Sequence, residues 1–209
     1  MTRLLIVTAV EAERAAITAA ARPAGRIEVI VGGVGPAAAA AATSAALAPG
    51  EYDLVLSAGI GGGFTPLAPG DIAVASSIVF ADLGAETADG FAPISSLGFG
   101  QDTYAVDPQL AIELADRSGG HLGTVLTVAT VTGSRAVADR FVGRFPDAVA
   151  EGMEGAGVAA AATHHGVAFA EIRAISNAVG PRERDSWQIP QALTTLGRAL
   201  AAVTAGWTA

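Results

Sequence analysis

Three ionisable side chains lie where the sequence predicts strand ends, among apolar or small residues. Glu13 follows the first apolar run, Glu154 lies between Met153 and Gly155, and Arg173 interrupts a run that otherwise reads as a buried strand. A charge inside a buried strand is costly unless it is paired or functional. Two carboxylates and one guanidinium could assemble around a polar substrate. An internal ion-pair network is the structural alternative, as is helix capping for Glu13.

Alternating strands and helices position these side chains. Strands are predicted at 3–8, 27–31, 53–57, 71–80, 123–130 and 168–176, and helices at 11–21, 37–47, 108–118, 135–142, 154–165 and 191–204. This alternation predicts an α/β layer structure with a mostly parallel sheet, which binds ligands at the carboxyl ends of its strands. Residues 81–106 are predicted to be a long irregular segment of the kind that forms lids or pocket walls.

The composition excludes several classes of protein. Of the 209 residues, 51% are hydrophobic and 15% are charged, so the chain is too apolar to be disordered. A net charge of −8 argues against nucleic acid as a partner, and the lack of cysteine excludes disulfides and thiolate chemistry. The uncharged window 29–50 is rich in alanine and is interrupted by glycine and proline, so no membrane span is predicted. No export signal is visible, so we expect a cytoplasmic protein, without a metal or a cofactor.

Two glycine-rich stretches follow predicted strands, and both are predicted to be turns. Residues 33–38 loosely match the dinucleotide fingerprint GxGxxA, although Pro36 removes one backbone N–H that a phosphate would use. A tight turn is the favoured interpretation, and a nicotinamide site is the alternative. Residues 59–63 lack the Lys-Ser/Thr of a P-loop, but their missing side chains let the backbone approach a ligand closely.

Several sequence blocks, in the same order along the chain, resemble the purine nucleoside phosphorylase and nucleosidase superfamily. They are AVEAE at 9–13, GVG at 33–35, SAGIGG at 57–62, LAPGDI at 67–72, and a late signature of MEGA at 153–156 with IRAISN at 172–177. The resemblance covers nearly the whole chain. It implies one three-layer α/β domain over 1–209, with a central mixed, mostly parallel sheet flanked by helices. It also implies a purine nucleoside substrate and a homo-oligomer of two or more subunits.

The resemblance also implies roles for individual residues. Glu13 matches the general base, Arg173 lies where the family orients the attacking water, and Glu154 matches the carboxylate that holds the ribose hydroxyls, with Met153 packing on the sugar. Further substrate contacts are implied for the backbone of Gly59, Ile60 and Gly61, and more loosely for Val131 and Phe169.

Asn177 departs from the adenine-specific nucleosidases of the superfamily, which carry Asp at the matching position. An Asn amide N–H can donate to a 6-oxo group while its carbonyl oxygen accepts from a protonated N7, so Asn suits hypoxanthine. The alternative is that Asn replaces Asp at this position without an effect on substrate specificity. Open alternatives for the whole chain are an adenine-releasing nucleosidase, a phosphorylase and a non-catalytic nucleoside-binding protein.

Two further segments, 81–91 and 182–187, resemble a branch that hydrolyses a hypoxanthine nucleoside with an aryl carboxylate on the 5′ side of its ribose. Arg182 or Arg184 is a candidate partner for that carboxylate. Candidates for stacking on the aryl ring are Phe91, Phe99, Tyr104 and Trp187. Surface charge and core packing are the alternatives for each of these side chains.

Overall fold

Strands and helices alternate along most of the chain, as the sequence predicts. The structure, a computed structural model, describes residues 3–22 and 25–205. The elements are β1 (Leu4–Thr8), α1 (Glu11–Ala21), β2 (Ile27–Val31), α2 (Pro36–Leu47), β3 (Leu54–Gly63), β4 (Ile72–Phe80), β5 (Gly84–Thr87), β6 (Gly90–Pro93), β7 (Thr103–Ala105), α3 (Pro108–Ser118), β8 (His121–Thr127), α4 (Arg135–Arg144), β9 (Ala148–Gly152), α5 (Gly155–His165), β10 (Ala168–Ala178) and α6 (Ile189–Thr204). A 3-10 turn covers Arg184–Ser186.

Within the described residues, one mixed sheet of eight strands forms the centre of the fold. Its order is β10-β4-β8-β9-β3-β1-β2, with β7 paired to β4. Because β3 also pairs with β10, the strands β3, β10, β4, β8 and β9 close into a ring. Five pairings in this sheet are parallel, and β10–β4, β3–β9 and β4–β7 are antiparallel. The predicted α/β fold with a mixed, mostly parallel sheet is confirmed.

The two long neighbouring strands β3 and β10 form the floor of the site. They run parallel and in register from Leu54 opposite Ala168, and Arg173 lies opposite Gly59. The register shifts between Ile175 and Asn177, where β10 carries one extra residue. Such a bulge bends a strand and re-aims the side chains that follow it.

Small residues let the helices approach the sheet and one another closely. All but one of the residues from Gly155 to Ala162 of α5 are buried, and they are glycine, alanine and valine. A Cβ on Gly157 would collide with the carbonyl oxygen of Pro36, so α5 contacts the start of α2 directly. The high alanine and glycine content therefore serves helix packing. In the part of the chain that the structure describes, no helix has the length and apolar character needed to cross a bilayer.

The structure differs from the predicted elements in three places. The glycine-rich residues 59–63 belong to β3 and not to a turn, because neighbouring strands on both sides supply hydrogen-bond partners. The segment 81–106 contains the hairpin β5–β6 and the short strand β7. The strand β9 has no predicted counterpart, because five residues that include glycine and glutamate carry little strand propensity.

Candidate active site

Glu13 lies in the first turn of α1 and is held by three backbone amides. Its Oε2 accepts hydrogen bonds from the N–H groups of Ala9 (2.9 Å) and Val10 (3.2 Å). Its Oε1 accepts one from the N–H of Ile60 (2.9 Å) on β3. The first two bonds cap the helix, so the alternative offered by the sequence does occur. The third bond has no part in capping the helix, because it holds the carboxylate against the glycine-rich part of β3.

Arg173 on β10 joins three polar side chains. Its Nη1 lies 3.0 Å from Glu154 Oε2, its Nε donates to Glu171 Oε1 (2.8 Å), and its Nη2 donates to Ser57 Oγ (3.1 Å). Arg173 is 1% exposed. Arg173, Glu13, Glu154 and Glu171 are called the charged cluster below. The structure thus brings together the three ionisable side chains that the sequence singles out, and adds Glu171.

Glycines on two strands make room for the charged cluster. A Cβ on Gly59 would lie 2.6 Å from Arg173 Nη1 and 2.7 Å from Glu13 Oε1. A Cβ on Gly152 would lie 3.0 Å from Arg173 Nε, and one on Gly61 would lie 3.6 Å from its Cδ. The glycines of β3 therefore lie beside the charged cluster, and the substrate contacts expected of the 59–61 backbone stay a prediction.

The turn at residues 33–35 binds a carboxylate of the protein itself. The N–H of Gly35, whose φ is 90°, donates to Glu154 Oε1 (3.1 Å), and the N–H of Met153 donates to Oε2 (3.3 Å). Glu154 directly precedes α5, at the positive end of the helix dipole. Gly35 already has an internal partner and Pro36 has no N–H to offer. The turn therefore offers a dinucleotide phosphate fewer free N–H donors than the fingerprint needs, which argues against the nicotinamide alternative.

The charged cluster holds more negative than positive charge. Burial alone would lower the pKa of Arg173, but Glu171, Glu154 and Glu13 outweigh burial and raise it, so the guanidinium stays charged. Burial raises the pKa of Glu171, and Arg173 offsets that rise only in part. Among the described residues, Glu171 Oε2 has no hydrogen-bond partner, and a Cβ on Gly155 would collide with it. Glu171 therefore fills space that only a glycine at the start of α5 leaves open.

Asn177 lies at the carboxyl end of β10. Its Oδ1 accepts a hydrogen bond from Ser176 Oγ (2.7 Å), and its Nδ2 donates to the carbonyl oxygen of Ala178 (3.0 Å). Nδ2 also lies 3.5 Å from the position of a Cβ on Gly62. The amide keeps a second N–H on Nδ2 and a second lone pair on Oδ1. This partly buried side chain can therefore both donate to and accept from a ligand.

Two buried carboxylates escaped the sequence analysis. Glu171 is a second charge in the buried strand that contains Arg173, and two residues along a strand place it on the same face. A charge inside a predicted buried strand marks Glu171 in the sequence in the same way as it marks Arg173. Glu151 lies at the end of β9 and is 7% exposed. The N–H and Oγ1 of Thr132 donate to its two oxygens at 2.9 and 2.5 Å.

A cavity of about 1060 Å³ lies beside the segment 130–134. Val131 and Phe91 line it, whereas no member of the charged cluster does. The guanidinium of Arg182 lies 5.4 Å from the ring centroid of Trp187, and its Cδ lies 3.6 Å from the position of a Cβ on Gly133. The structure thus places Arg182 and Trp187 beside the segment that contains Val131, which lines a cavity that the charged cluster does not line.

Other predicted contacts lie elsewhere. Phe169 is the second residue of β10 and lies eight residues before Asn177, which is about 26 Å along a strand. Its ring packs edge-on against Tyr104, with centroids 6.3 Å apart. This position corrects the expectation that Phe169 contacts the base, because the ring packs in the core at the other end of the strand. Arg184 is exposed on the 3-10 turn, and Phe99 is 81% exposed.

The fold and the charged cluster define a class of α/β protein with a polar site at the carboxyl ends of parallel strands. A carboxylate fixed by backbone amides can hold and deprotonate a water molecule, and a second carboxylate can bind vicinal hydroxyl groups. In residues 3–22 and 25–205, no group of three or more His, Cys, Asp or Glu side chains is arranged to hold a metal ion. The arrangement suits chemistry at a sugar carbon that uses side chains and water.

The chain belongs to the Phosphorylase superfamily, whose sequence profile matches residues 6–205. It is 49% identical to the futalosine hydrolase of Streptomyces coelicolor, over 98% of this chain and 97% of that protein. It is 46% identical to the futalosine hydrolase of Acidothermus cellulolyticus, over 97% of this chain and 91% of that protein. A 5′-methylthioadenosine/S-adenosylhomocysteine nucleosidase from Colwellia psychrerythraea, solved with adenine, has the same fold, with a TM-score of 0.85 at 22% identity over 98% of this chain and 95% of that one. The family resemblance is confirmed.

Proposed function

We propose that this chain hydrolyses the N-ribosidic bond of futalosine to hypoxanthine and dehypoxanthine futalosine, a step of menaquinone biosynthesis. Two futalosine hydrolases are its relatives at 49% and 46% identity. The observation that carries the proposal is an amide, Asn177, four residues after the buried Arg173 on the same strand, where Arg173 binds the carboxylate of Glu154. In this proposal the charged cluster binds the ribose and the attacking water, and the amide of Asn177 binds the purine.

Glu13 takes the proton of the attacking water. Its three amide partners keep the carboxylate in one orientation, and Arg173 lies across Gly59 from it, where it can orient the same water. Glu154 accepts hydrogen bonds from the ribose hydroxyls. The water oxygen bonds to C1′ as the bond from C1′ to purine N9 breaks, through an oxocarbenium-like sugar. A carboxylate close to that cationic sugar also stabilises it.

Asn177 stabilises the departing purine. The electron pair of the broken bond leaves with the base, and part of its charge reaches O6, where an amide N–H can donate. Asn is not an acid, so the purine takes its proton from solvent and the Asn oxygen accepts from N7–H. An adenine 6-amino group would meet the N–H₂ of Asn177, and a buried donor without an acceptor is costly.

Water fits the site better than phosphate does. A phosphorylase needs an anion site beside the ribose, and neither 32–35 nor 57–63 contains Lys or Arg. The N–H of Gly35 is engaged by Glu154, and the guanidinium of Arg173 is engaged by Glu154, Glu171 and Ser57. These internal partners leave little positive potential for a phosphate.

The test compares hypoxanthine release from futalosine with adenine release from its 6-amino counterpart, for the wild type and for Asn177→Asp. We expect the wild type to prefer futalosine. Asn177→Asp should shift the ratio of the two kcat/KM values towards the 6-amino substrate by about 10²-fold or more, because Asp restores an acceptor for the amino group. A wild type that prefers the 6-amino substrate would identify the chain as an adenine-releasing nucleosidase instead. Binding of both without turnover would favour a nucleoside-binding protein.

Other predictions of the sequence remain part of this proposal. They are a cytoplasmic location, assembly into a dimer or larger homo-oligomer, and recognition of the aryl carboxylate by Arg182 or Arg184. Both arginines are exposed, and the contact of Arg182 with Trp187 beside the segment 130–134 supports Arg182 over Arg184.

A further inference from the structure

Glu171 is a buried charge to which the proposed reaction assigns no step of its own. It is fully buried on β10, two residues before Arg173, so the two side chains lie on the same face of the sheet. A carboxylate in such a position is costly, and an apolar side chain would fill the strand at lower cost. Packing alone therefore does not account for a carboxylate here.

Glu171 binds one end of a guanidinium whose other end faces the carboxylates of the proposed site. The Nε of Arg173 donates to Glu171 Oε1 (2.8 Å), whereas Nη1 lies 3.0 Å from Glu154 Oε2. A Cβ on Gly59 would meet both Nη1 and Glu13 Oε1, so this second end of the guanidinium also lies close to Glu13. Arg173 is thus shared between Glu171 and the two carboxylates that contact water and ribose in the proposed reaction.

The start of α5 leaves room for this carboxylate and for little else. A Cβ on Gly155 would collide with both oxygens of Glu171, so no other residue type fits there while Glu171 keeps its place. Among the described residues, the bond from Arg173 is the one hydrogen bond that Glu171 accepts, and its Oε2 has no partner. The polar interactions of Glu171 therefore converge on Arg173.

The balance of charge gives this contact a consequence for the site. The charged cluster holds three carboxylates and one guanidinium. Burial lowers the pKa of Arg173, and Glu171 comes first among the carboxylates that raise it, ahead of Glu154 and Glu13. The positive charge of Arg173 is therefore offset mainly by Glu171. The negative charge of Glu13 and Glu154 is left less compensated than it would be beside a free guanidinium.

We propose that Glu171 is a positioning residue that offsets the charge of Arg173 and thereby keeps the site negative towards the cationic sugar. This inference rests on the proposed function and deepens its bond-breaking step. The bond from C1′ to N9 breaks through an oxocarbenium-like sugar, and a negative potential at that carbon lowers the barrier. Arg173 can still orient the water, because its N–H groups keep their directions while Glu171 cancels much of their net charge.

The experiment measures how two ribose analogues inhibit hypoxanthine release at neutral pH. Iminoribitol carries N–H₂⁺ in place of the ring oxygen, and anhydroribitol is its neutral counterpart. The wild type should bind the cation more tightly. Over about 10 Å, one unit charge changes the affinity for a cation about 10-fold at an effective dielectric constant of about 20.

Glu171→Gln keeps an acceptor for the Nε of Arg173 but removes the charge. We therefore expect the ratio of the affinities for iminoribitol and anhydroribitol to fall about 10-fold in this variant. The kcat/KM for futalosine should fall by a similar factor, because the transition state is also cationic. Glu171→Met has a similar length and no charge, and it takes the place of Glu171→Gln if that variant does not fold.

Two control variants separate the charge of Glu171 from its shape. Glu171→Asp keeps the charge on a shorter side chain. Glu113→Gln removes an exposed carboxylate of α3 that pairs with Arg117, so it lowers the net charge by the same amount far from the charged cluster. Both should leave the affinity ratio within about threefold of the wild type, since the first keeps the charge and the second removes one that solvent screens.

Four results would overturn the inference. They are equal affinities of the wild type for the two analogues, an unchanged ratio in a folded neutral variant, an equal weakening of both analogues, and a Glu171→Asp variant that reproduces the loss. The last two would assign Glu171 to the shape of the site and not to its charge. If the wild type releases no hypoxanthine from futalosine, the proposed function itself fails, and the two failures are thereby distinguished.

Discussion

Gly59→Ala tests the geometry of the charged cluster without removing any of its functional groups. The new Cβ would lie 2.6 Å from Arg173 Nη1 and 2.7 Å from Glu13 Oε1, whereas ordinary contacts begin at 3.4 Å. At least one of these groups must therefore retreat by about 0.7 Å or more. Neither moves freely, because Glu13 is held by three amides and Arg173 by two carboxylates and Ser57.

The expected loss of activity follows from that displacement. A misplacement of catalytic groups by about 1 Å lowers the rate about 10²-fold, so kcat/KM for futalosine should fall by about that factor. This corresponds to a rise of about 2.7 kcal/mol in the activation free energy. Overpacking should also lower the free energy of unfolding by about 1–3 kcal/mol. The φ of Gly59 is not in the left-handed region, so alanine adds no backbone strain there.

The assay is hypoxanthine release at 25 °C, with circular dichroism and a thermal melt to establish that the variant is folded. Gly143→Ala is the matched control, since a Cβ on this helical residue of α4 would meet no atom within 4 Å. It should keep wild-type activity. A folded Gly59→Ala that stays within threefold of the wild type would refute the claim that Glu13 and Arg173 act together across Gly59.

Two other variants probe single members of the charged cluster. Glu13→Ala should lose about 10²–10⁴ in kcat while remaining folded, because a positioned base supplies that factor; full turnover would remove Glu13 from the mechanism. Glu171→Gln tests the raised pKa of Glu171. Because the native state binds the proton of Glu171 more tightly than the unfolded chain does, the protonated carboxyl stabilises the protein most at a pH below 4.5, the ordinary pKa of the group. That stabilisation is lost as the pH rises. Urea denaturation from pH 4.5 to 8 should show the wild type losing stability relative to Glu171→Gln as pH rises, and a relative gain would contradict the assignment.

The fold was largely predictable because its elements carry strong local signals. The run at 4–8 is apolar and buried throughout, and the alanine-rich helices begin and end close to the predicted residues. The strand β9 was missed because it is short and pairs with distant strands. The hairpin β5–β6 pairs locally, but its strands are only four residues long and contain glycine and proline. The glycines at 59–63 favour a turn when read locally, and only pairing with β9 and β10 makes them part of a strand.

The site was predictable where a charge contradicts its apolar surroundings, as at Arg173. Glu151 gave no such signal, because its strand was not recognised and its partner Thr132 is 19 residues away. The expected contact of Phe169 with the base was wrong, because Phe169 and Asn177 share a strand but lie near opposite ends of it. Its packing against Tyr104 depends on pairings between distant segments.

The most direct test of the account is the product that purified wild-type protein releases from futalosine in phosphate-free buffer. We predict stoichiometric hypoxanthine and dehypoxanthine futalosine, at a rate that added phosphate does not increase. Turnover that requires phosphate and yields a ribose 1-phosphate, or no release of hypoxanthine at all, would contradict water activation by Glu13 and purine recognition by Asn177.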